Sequence, residues 1–128
     1  VEPFRLTTGE LAGLANMLDP LHQARLQGLA FLKRALRFLP DCIWALVDMN
    51  GHESSWGYTS LQDCQWLREM LPKCNWPPQD ASFEQWRQYA RECPEWKKRV
   101  KQAGMAMVRF LFRNAKHRVW ELQMEDQY

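Results

Sequence analysis

The feature that most constrains the fold is the long stretch that follows the last proline. All seven prolines of this 128-residue chain lie at or before Pro94, and apolar residues then recur at three- and four-residue steps. Such spacing places side chains on one side of an α-helix. Pro94 suits the first helical position, and Glu95 suits the positive N-terminal end. The sequence therefore predicts one long C-terminal helix beginning at Pro94, whose apolar side carries Trp96, Val100, Ala103, Met107, Phe110 and Leu111.

Capping residues and prolines divide the rest of the chain into shorter helical segments. Thr7 with Glu10, and Ser82 with Gln85, have the spacing of capping boxes and predict helix starts. Further predicted helices cover the first capping box through Leu18, residues 20–38, an apolar run at 42–49, residues 60–71 and the short segment after Ser82. Ser60 with Asp63 is the predicted start of the helix 60–71.

Two non-helical segments complete this organisation. Residues 51–59 contain Gly, Ser and two aromatic residues and read as an exposed loop, and residues 73–81 contain Trp76-Pro77-Pro78, a stiff extended connection. The run 42–49 could be a buried helix or a strand that enters a turn at Asn50-Gly51, and we favour the helix. The predicted fold class is all-α, a single-domain bundle of five to six helices over residues 1–128 with a long basic C-terminal helix.

Basic residues are concentrated near the C-terminus. Residues 97–128 hold eight Lys or Arg against three Asp or Glu, whereas residues 1–96 hold nine against twelve. No acidic residue falls between Lys97 and Arg118, so the i,i+4 ion pairs of an ordinary solvated helix face are missing. Either acidic residues elsewhere in the fold or an anionic ligand compensates this charge, although a merely solvated basic face stays an alternative.

These patterns define the candidate binding residues. The helix 20–38 carries leucines on one side and three cations opposite, which can add to the C-terminal cluster. The predicted anion- or nucleic-acid-binding residues are Lys97, Lys98, Lys101, Arg109, Arg113, Lys116, Arg118, Lys33, Arg34 and Arg37. Three aromatic residues in predicted loops are candidates for a patch that binds a peptide or an unstacked base: Trp56, Tyr58 and Trp76. The tryptophans at 44, 66, 86 and 96 are predicted to build the core.

The residues that commonly form catalytic and metal sites show no matching pattern. The four cysteines and three histidines include no close pair of the kind that binds zinc, and the glycines form no phosphate-binding loop. We therefore expect a non-enzyme without cofactor, metal or small-molecule substrate. No apolar run is long enough to cross a membrane, and the cysteine spacing favours reduced, mostly buried thiols, so we expect an intracellular protein of the cytoplasm or nucleus.

One short segment resembles a known family. Cys74, Trp76 and Pro78, followed by Trp86 and preceded by an apolar helix, resemble a stretch in the matrix domain of betaretroviral Gag polyproteins. The resemblance covers about 25 residues and departs from the family at Asn75, at Pro77, in the spacing to Trp86 and in the absence of an N-terminal Met-Gly for myristate. It implies an all-helical, non-enzymatic assembly protein whose basic residues meet anionic lipid.

The sequence thus leads to one main hypothesis and two alternatives. The main hypothesis is a non-enzymatic helical module whose basic C-terminal helix binds an anionic partner, nucleic acid before acidic protein. The first alternative is a protein–protein assembly module, with homo-oligomers possible, that uses the helix 20–38 or the aromatic loop. The second is a matrix-like domain at an anionic membrane surface.

Overall fold

The computed structural model describes residues 6–15, 17–49 and 55–127, and it confirms the all-α prediction. These residues form six helices and no strand. The helices are α1 (Thr8–Leu14), α2 (Pro20–Phe38), α3 (Asp41–Met49), α4 (Trp56–Met70), α5 (Phe83–Glu92) and α6 (Trp96–Gln127). The helical interpretation of residues 42–49 is therefore correct.

The chain divides into two compact units. The central unit comprises residues 25–103, and the terminal unit comprises residues 1–24 together with 104–128. The boundaries fall inside α2 and α6, so each of these helices contributes residues to both units. The prediction that residues 1–128 form a single domain stays a prediction.

Helix starts follow the predicted caps at α1 and α5. In α1 the Thr7 hydroxyl accepts from the Glu10 backbone N–H at 3.1 Å, and the Glu10 carboxylate accepts from the Thr7 N–H at 3.2 Å. Ser82 and Gln85 form the same reciprocal pair at the start of α5. Each box satisfies backbone donors that have no partner within the helix. The end of α1 was predicted less well, because the helix stops at Leu14 and does not continue to Leu18.

The start of α4 differs from the prediction. Ser55, and not Ser60, is the N-cap, and its hydroxyl accepts from the Tyr58 N–H at 3.1 Å. Ser60 lies inside the helix and is buried. Trp56 therefore occupies the first turn of a helix and not a loop, whereas residues 51–54 of the predicted loop lie outside the described residues. Ser55 and Ser60 are equally suitable as caps, and a start after Ser55 places Trp56 against the core.

The start of α6 also shifts slightly. The helix begins at Trp96, two residues after Pro94, and the Arg99 N–H donates to the Glu95 carbonyl at 2.9 Å. Pro94 and Glu95 thus form the turn that leads into the helix, because Cys93 before them is extended.

Tryptophans build the core of the central unit, as predicted. Trp44, Trp66, Trp86 and Trp96 are all buried, and Trp96 also donates its indole N–H to the Leu29 carbonyl at 3.0 Å. From α2 this core receives Leu29, Leu32, Ala35 and Leu36. Helix α4 packs against α3 and α5. Burying four indoles removes a large apolar area from water, which is the main stabilising contribution expected for a unit of this size.

The terminal unit is packed through small side chains. Gly13 of α1 lies against the backbone of Leu111 and the side chain of Ala115, both in α6. Leu122 is fully buried, but Phe110 is 53% exposed. Including Phe110 in the buried apolar series was therefore wrong, because its position falls at the edge of the stripe that faces the unit's interior.

Candidate anion-binding surfaces

Helices α2 and α6 form a groove with basic side chains in the central unit. The groove has a volume of about 440 Å³ and is lined by Ala30, Lys33, Arg34, Arg37, Trp96, Lys97 and Val100. Trp96 and Val100 are buried and supply apolar atoms, whereas no acidic residue of the described ranges lines the groove. We call it the basic groove. It brings together cations of α2 and α6 that the sequence places 60 to 64 residues apart.

Lys33 has a structural contact within this groove. Its Nζ donates to the carbonyl of Ala90 at 2.6 Å and to that of Cys93 at 3.0 Å, at the C-terminal end of α5. A cation satisfies these carbonyls and interacts favourably with the negative end of the helix. The expectation that Lys33 lies on the open basic side of α2 is corrected here, because its ammonium is directed to the end of α5. That Lys33 also binds an anion stays a prediction.

The remaining cations of the basic groove are open. Arg34, Arg37 and Lys97 are exposed. Within the part of the chain that the structure describes, no carboxylate lies at ion-pair distance from any of them. Lys98, which follows Lys97 directly, and Lys101, on the next turn of α6, are exposed as well. Unpaired like charges repel one another, so an anion bound here would relieve an unfavourable arrangement.

A second basic surface lies on the part of α6 that belongs to the terminal unit. Arg109, Phe112, Arg113, Lys116 and Trp120 are all exposed, and their spacing by three and four residues places them on one face. We call this set the C-terminal stripe. The Lys116 ammonium lies 5.3 Å from the centroid of the Phe112 ring. The prediction that Arg109, Arg113 and Lys116 lie away from the apolar side of the helix is therefore confirmed.

Arg118 differs from its basic neighbours because it is already paired. Its guanidinium lies 3.9 Å from the Glu10 carboxylate and 3.3 Å from that of Glu121. The side chain is 38% exposed and the pair lies at the surface, so the interaction is weak but occupies the cation. Arg99 is engaged in the same way, by Glu95 and by the Tyr89 hydroxyl. Acidic residues elsewhere in the fold thus compensate part of the basic series, and Arg118 has less support as an anion ligand than Arg109 or Arg113.

Two of the three predicted partner-binding aromatics, Trp56 and Trp76, contact other rings of the central unit. Trp56 is half-buried, and its ring centroid lies 5.6 Å from that of Trp44 and 6.0 Å from that of Phe83. Tyr58 lies in the first turn of α4 and is half-buried. Their placement in an exposed loop was wrong.

Trp76 does lie in a connection without helix, as predicted, but it is held there. Its indole N–H donates to the Leu71 carbonyl at 2.6 Å, and its ring contacts Trp86 and Tyr89. The Arg99 guanidinium lies 5.0 Å from the Trp76 ring. No ring contact of the described residues joins Trp76 to Trp56, so these residues do not form one patch. The stretch that resembles the Gag matrix domain therefore contributes to the packing of this unit.

Sequence reasoning did not assign Trp120 and the exposed residues beside α3. Trp120 is 56% exposed, and Phe38 and Leu46 are 78% and 62% exposed. The position of Trp120 was detectable, because it follows Lys116 by four residues and Arg113 by seven and so shares their helical face. Leu46 lies in the apolar run 42–49 that was predicted to be buried, so its exposure was not expected, and no prediction was made for Phe38.

Two neighbouring titratable groups of the central unit, Asp63 and Cys64, have shifted pKa values. Burial raises the pKa of the Cys64 thiol, and the nearby Asp63 carboxylate raises it further, so the nucleophilic thiolate is disfavoured. Burial raises the pKa of Asp63 to about 6, although the Arg25 guanidinium at 3.3 Å opposes the shift. Among the described ranges no cluster of three or more His, Cys, Asp or Glu has a metal-binding arrangement, and His52 lies outside them.

Neither a membrane-spanning helix nor a known relative was found. Within the ranges that the structure covers, none of the helices combines the length and apolar character needed to cross a bilayer. Comparison with known proteins gave no matching family model, no matching curated protein and no matching solved structure.

Proposed function

We propose that this chain is a non-enzymatic interaction module that binds nucleic acid through the basic groove. The observation that carries the proposal is the convergence of Arg34 and Arg37 of α2 with Lys97 of α6 on one groove, which none of the described acidic side chains lines. Phosphate groups are the anions that such an arrangement fits best, because arginine can donate two parallel hydrogen bonds to one phosphate.

The positions of the cations in the basic groove favour a polyanion with regularly spaced charges. Separate cations on two helices can contact successive phosphates, and each neutralised phosphate releases condensed counterions. A single free phosphate would engage only part of the groove. An acidic protein would also be attracted, but a nucleic acid offers evenly spaced charges without the cost of ordering many side chains.

The test is a fluorescence anisotropy titration of labelled single-stranded and duplex DNA. The variant Arg34→Gln/Arg37→Gln removes two exposed cations of the groove. Its matched control, Lys73→Gln/Arg91→Gln, removes the same charge from exposed positions outside the groove. Glutamine keeps most of the side-chain volume, so the fold is retained in both variants.

We expect the groove variant to weaken binding roughly tenfold and to lower the log–log salt slope by about 1 to 2 units, because about two phosphate contacts are lost. The control should change affinity less than about threefold, through net charge alone. Equal weakening by both variants would show that only net charge matters and would refute the groove as the binding site.

A second function is favoured by a different observation, the exposed apolar surface beside α3. Ile43, Leu46 and Trp56 line a depression of about 220 Å³, and Phe38 nearby in sequence is the most exposed large apolar residue described. Exposed apolar patches often mark protein interfaces. The corresponding proposal is a protein–protein assembly module, tested by sedimentation of the wild type and of Phe38→Ser/Leu46→Ser. Salt-insensitive association that the variant abolishes would support assembly, and a monomer at all concentrations would count against self-assembly.

A further inference from the structure

The C-terminal stripe combines cations and aromatic rings on a single helical face. Arg109, Arg113, Lys116 and Trp120 follow one another at steps of four, three and four residues, and Phe112 lies beside them. The face extends about 16 Å along the helix, the length of a few nucleotides. Ala115 and Leu122, on the opposite side of α6, are fully buried. The stripe is thus the outward face of the helix.

Trp120 is exposed to an extent that packing does not explain. The side chain is 56% exposed although the His117 ring stacks on it, with centroids 5.9 Å apart and planes 19° from parallel. A neighbouring stacked ring restricts the indole to few orientations. An ordered, exposed indole offers a flat π-surface at low entropic cost.

The charges around Trp120 favour an anionic ligand. Glu121 is the nearest acidic residue in sequence, and its carboxylate is engaged by His117 Nε2 at 2.6 Å and by Arg118 at 3.3 Å. It also lies about 100° around the helix from Trp120. Arg109, Arg113 and Lys116 have no carboxylate partner among the residues that the structure describes.

We propose that the C-terminal stripe is a site for unpaired nucleotides, in which Trp120 stacks on a base and Arg109, Arg113 and Lys116 contact the phosphates. This inference rests on the proposed nucleic-acid-binding function and adds a preference for single strands. Every base has a π-face, so stacking on an exposed aromatic ring tolerates any sequence. In a duplex both faces of each base are already stacked, and an indole gains this contact only by separating base pairs.

Two partners other than nucleic acid, an anionic membrane surface and an acidic peptide, would also be attracted to the cations of the C-terminal stripe. An anionic membrane surface would bind Trp120 and the cations, because indoles and basic residues both favour the interface. In that case the stripe would show no preference for single strands over duplexes. An acidic peptide would compete with single strands through charge alone. The exposed Trp120 indole is flat and lies on one helical face with three cations, which suits the planar base and the phosphates of an unpaired strand, and we therefore commit to an unpaired base.

The experiment measures affinity for a labelled oligothymidine and for a duplex of equal phosphate number with the full chain. Trp120→Ala removes the ring, and Trp120→Phe restores a smaller one. The matched control is Phe110→Ala, an aromatic residue with similar exposure at 53% that lies off the stripe. Circular dichroism verifies that each variant is folded.

We expect Trp120→Ala to weaken oligothymidine binding roughly tenfold and duplex binding less than about twofold, since loss of one stacked base is worth that much. Trp120→Phe should recover most of the loss, and Phe110→Ala should change neither affinity. If Trp120→Ala left both affinities unchanged, or weakened oligothymidine and duplex binding by the same factor, the stacking site would be overturned. The proposed function would then be left intact. Absence of binding to either nucleic acid at low salt would overturn both, and Trp120-dependent binding to phosphatidylserine vesicles in that case would assign the stripe to a membrane surface.

Discussion

The two compact units differ in what they bury, and this difference separates the parts of the chain that stabilise the fold from those open to partners. The central unit buries four tryptophans, and one of them donates a hydrogen bond to a buried carbonyl. The terminal unit buries small residues such as Gly13 and Ala115, whereas Leu11, Met17, Phe110 and Trp120 are exposed. Large aromatic side chains therefore stabilise the central unit, whereas the interior of the terminal unit holds no aromatic ring among the described residues and its Trp120 is on the surface.

The basic residues of the central unit likewise divide into those that stabilise the fold and those that are open to a partner. In the central unit Lys33 binds the end of α5, and Arg99 is held by Tyr89 and Glu95. Arg34 and Arg37 lie on the same helix as Lys33 and are open. A positive charge in the sequence is thus a binding candidate only after its structural contacts are known.

The largest expected effect contrasts two tryptophans. Trp96→Ala should lower the free energy of unfolding by about 3–5 kcal/mol, because it leaves a cavity and removes the hydrogen bond to Leu29. Trp120→Ala should change the free energy of unfolding by less than about 0.5 kcal/mol, since the ring is mostly exposed. Urea denaturation of both variants measures the contrast. Similar losses of unfolding free energy would mean that Trp120 belongs to a core, which would contradict the contrast between the buried Trp96 and the exposed Trp120.

The second prediction uses the buried carboxyl of the central unit. Burial raises the pKa of Asp63 from its ordinary value of 3.8 to about 6, so the native state retains a proton that the unfolded state has released. The native state binds more protons in this range, and stability therefore falls as the pH rises from about 4 to about 6. The contribution is on the order of 2–3 kcal/mol.

Asp63→Asn provides the measurement, because asparagine cannot release the proton. The difference in unfolding free energy between wild type and variant should shift in favour of the variant between about pH 4 and pH 6 and be constant above that range. A shift in the opposite direction would mean that the Arg25 ion pair dominates and that the pKa of Asp63 is lowered.

The third prediction tests the close packing of α1 in the terminal unit. A Cβ at Gly13 would overlap the Leu111 carbonyl oxygen and lie 3.2 Å from Ala115 Cβ, so Gly13→Ala should cost about 1–3 kcal/mol. Gly9→Ala in the same helix meets no atom closer than 3.7 Å and should stabilise by up to about 1 kcal/mol through helix propensity. Thermal unfolding compares the two. A stabilised Gly13→Ala would show that α1 does not pack against α6 at this point.

The smallest expected effect distinguishes Lys33 from Arg37. Lys33→Met should lower stability by about 1–2 kcal/mol, because two carbonyls at the end of α5 lose a charged donor. Arg37→Met should leave stability within about 0.5 kcal/mol of the wild type and weaken nucleic-acid binding. The reverse pattern, with Arg37 needed for stability and Lys33 for binding alone, would exchange the roles assigned to them.

The sequence predicted those features that depend on local rules. The capping boxes at Thr7 and Ser82, the helix 20–38 and the core tryptophans need only spacing and side-chain chemistry, and all are present. The start of α4 was missed because Ser55 and Ser60 are equivalent as caps, and only packing of the Trp56 ring chooses between them.

For the candidate site, the cations were predictable but their use was not. Spacing placed Arg109, Arg113 and Lys116 correctly on the outer face of α6. The convergence of α2 with α6 on one groove depends on contacts between residues distant in sequence, as does the hydrogen bonding of Lys33 to α5. No periodic pattern in one helix contains that information.

The most direct test of the central claim is the salt dependence of binding between the full chain and a labelled single-stranded oligonucleotide. If the six open cations of the basic groove and the C-terminal stripe contact phosphates, a plot of log affinity against log salt should be linear, with a slope of about −4. A slope near zero, or no binding at the lowest salt concentration, would contradict the claim that these cations form a nucleic-acid surface.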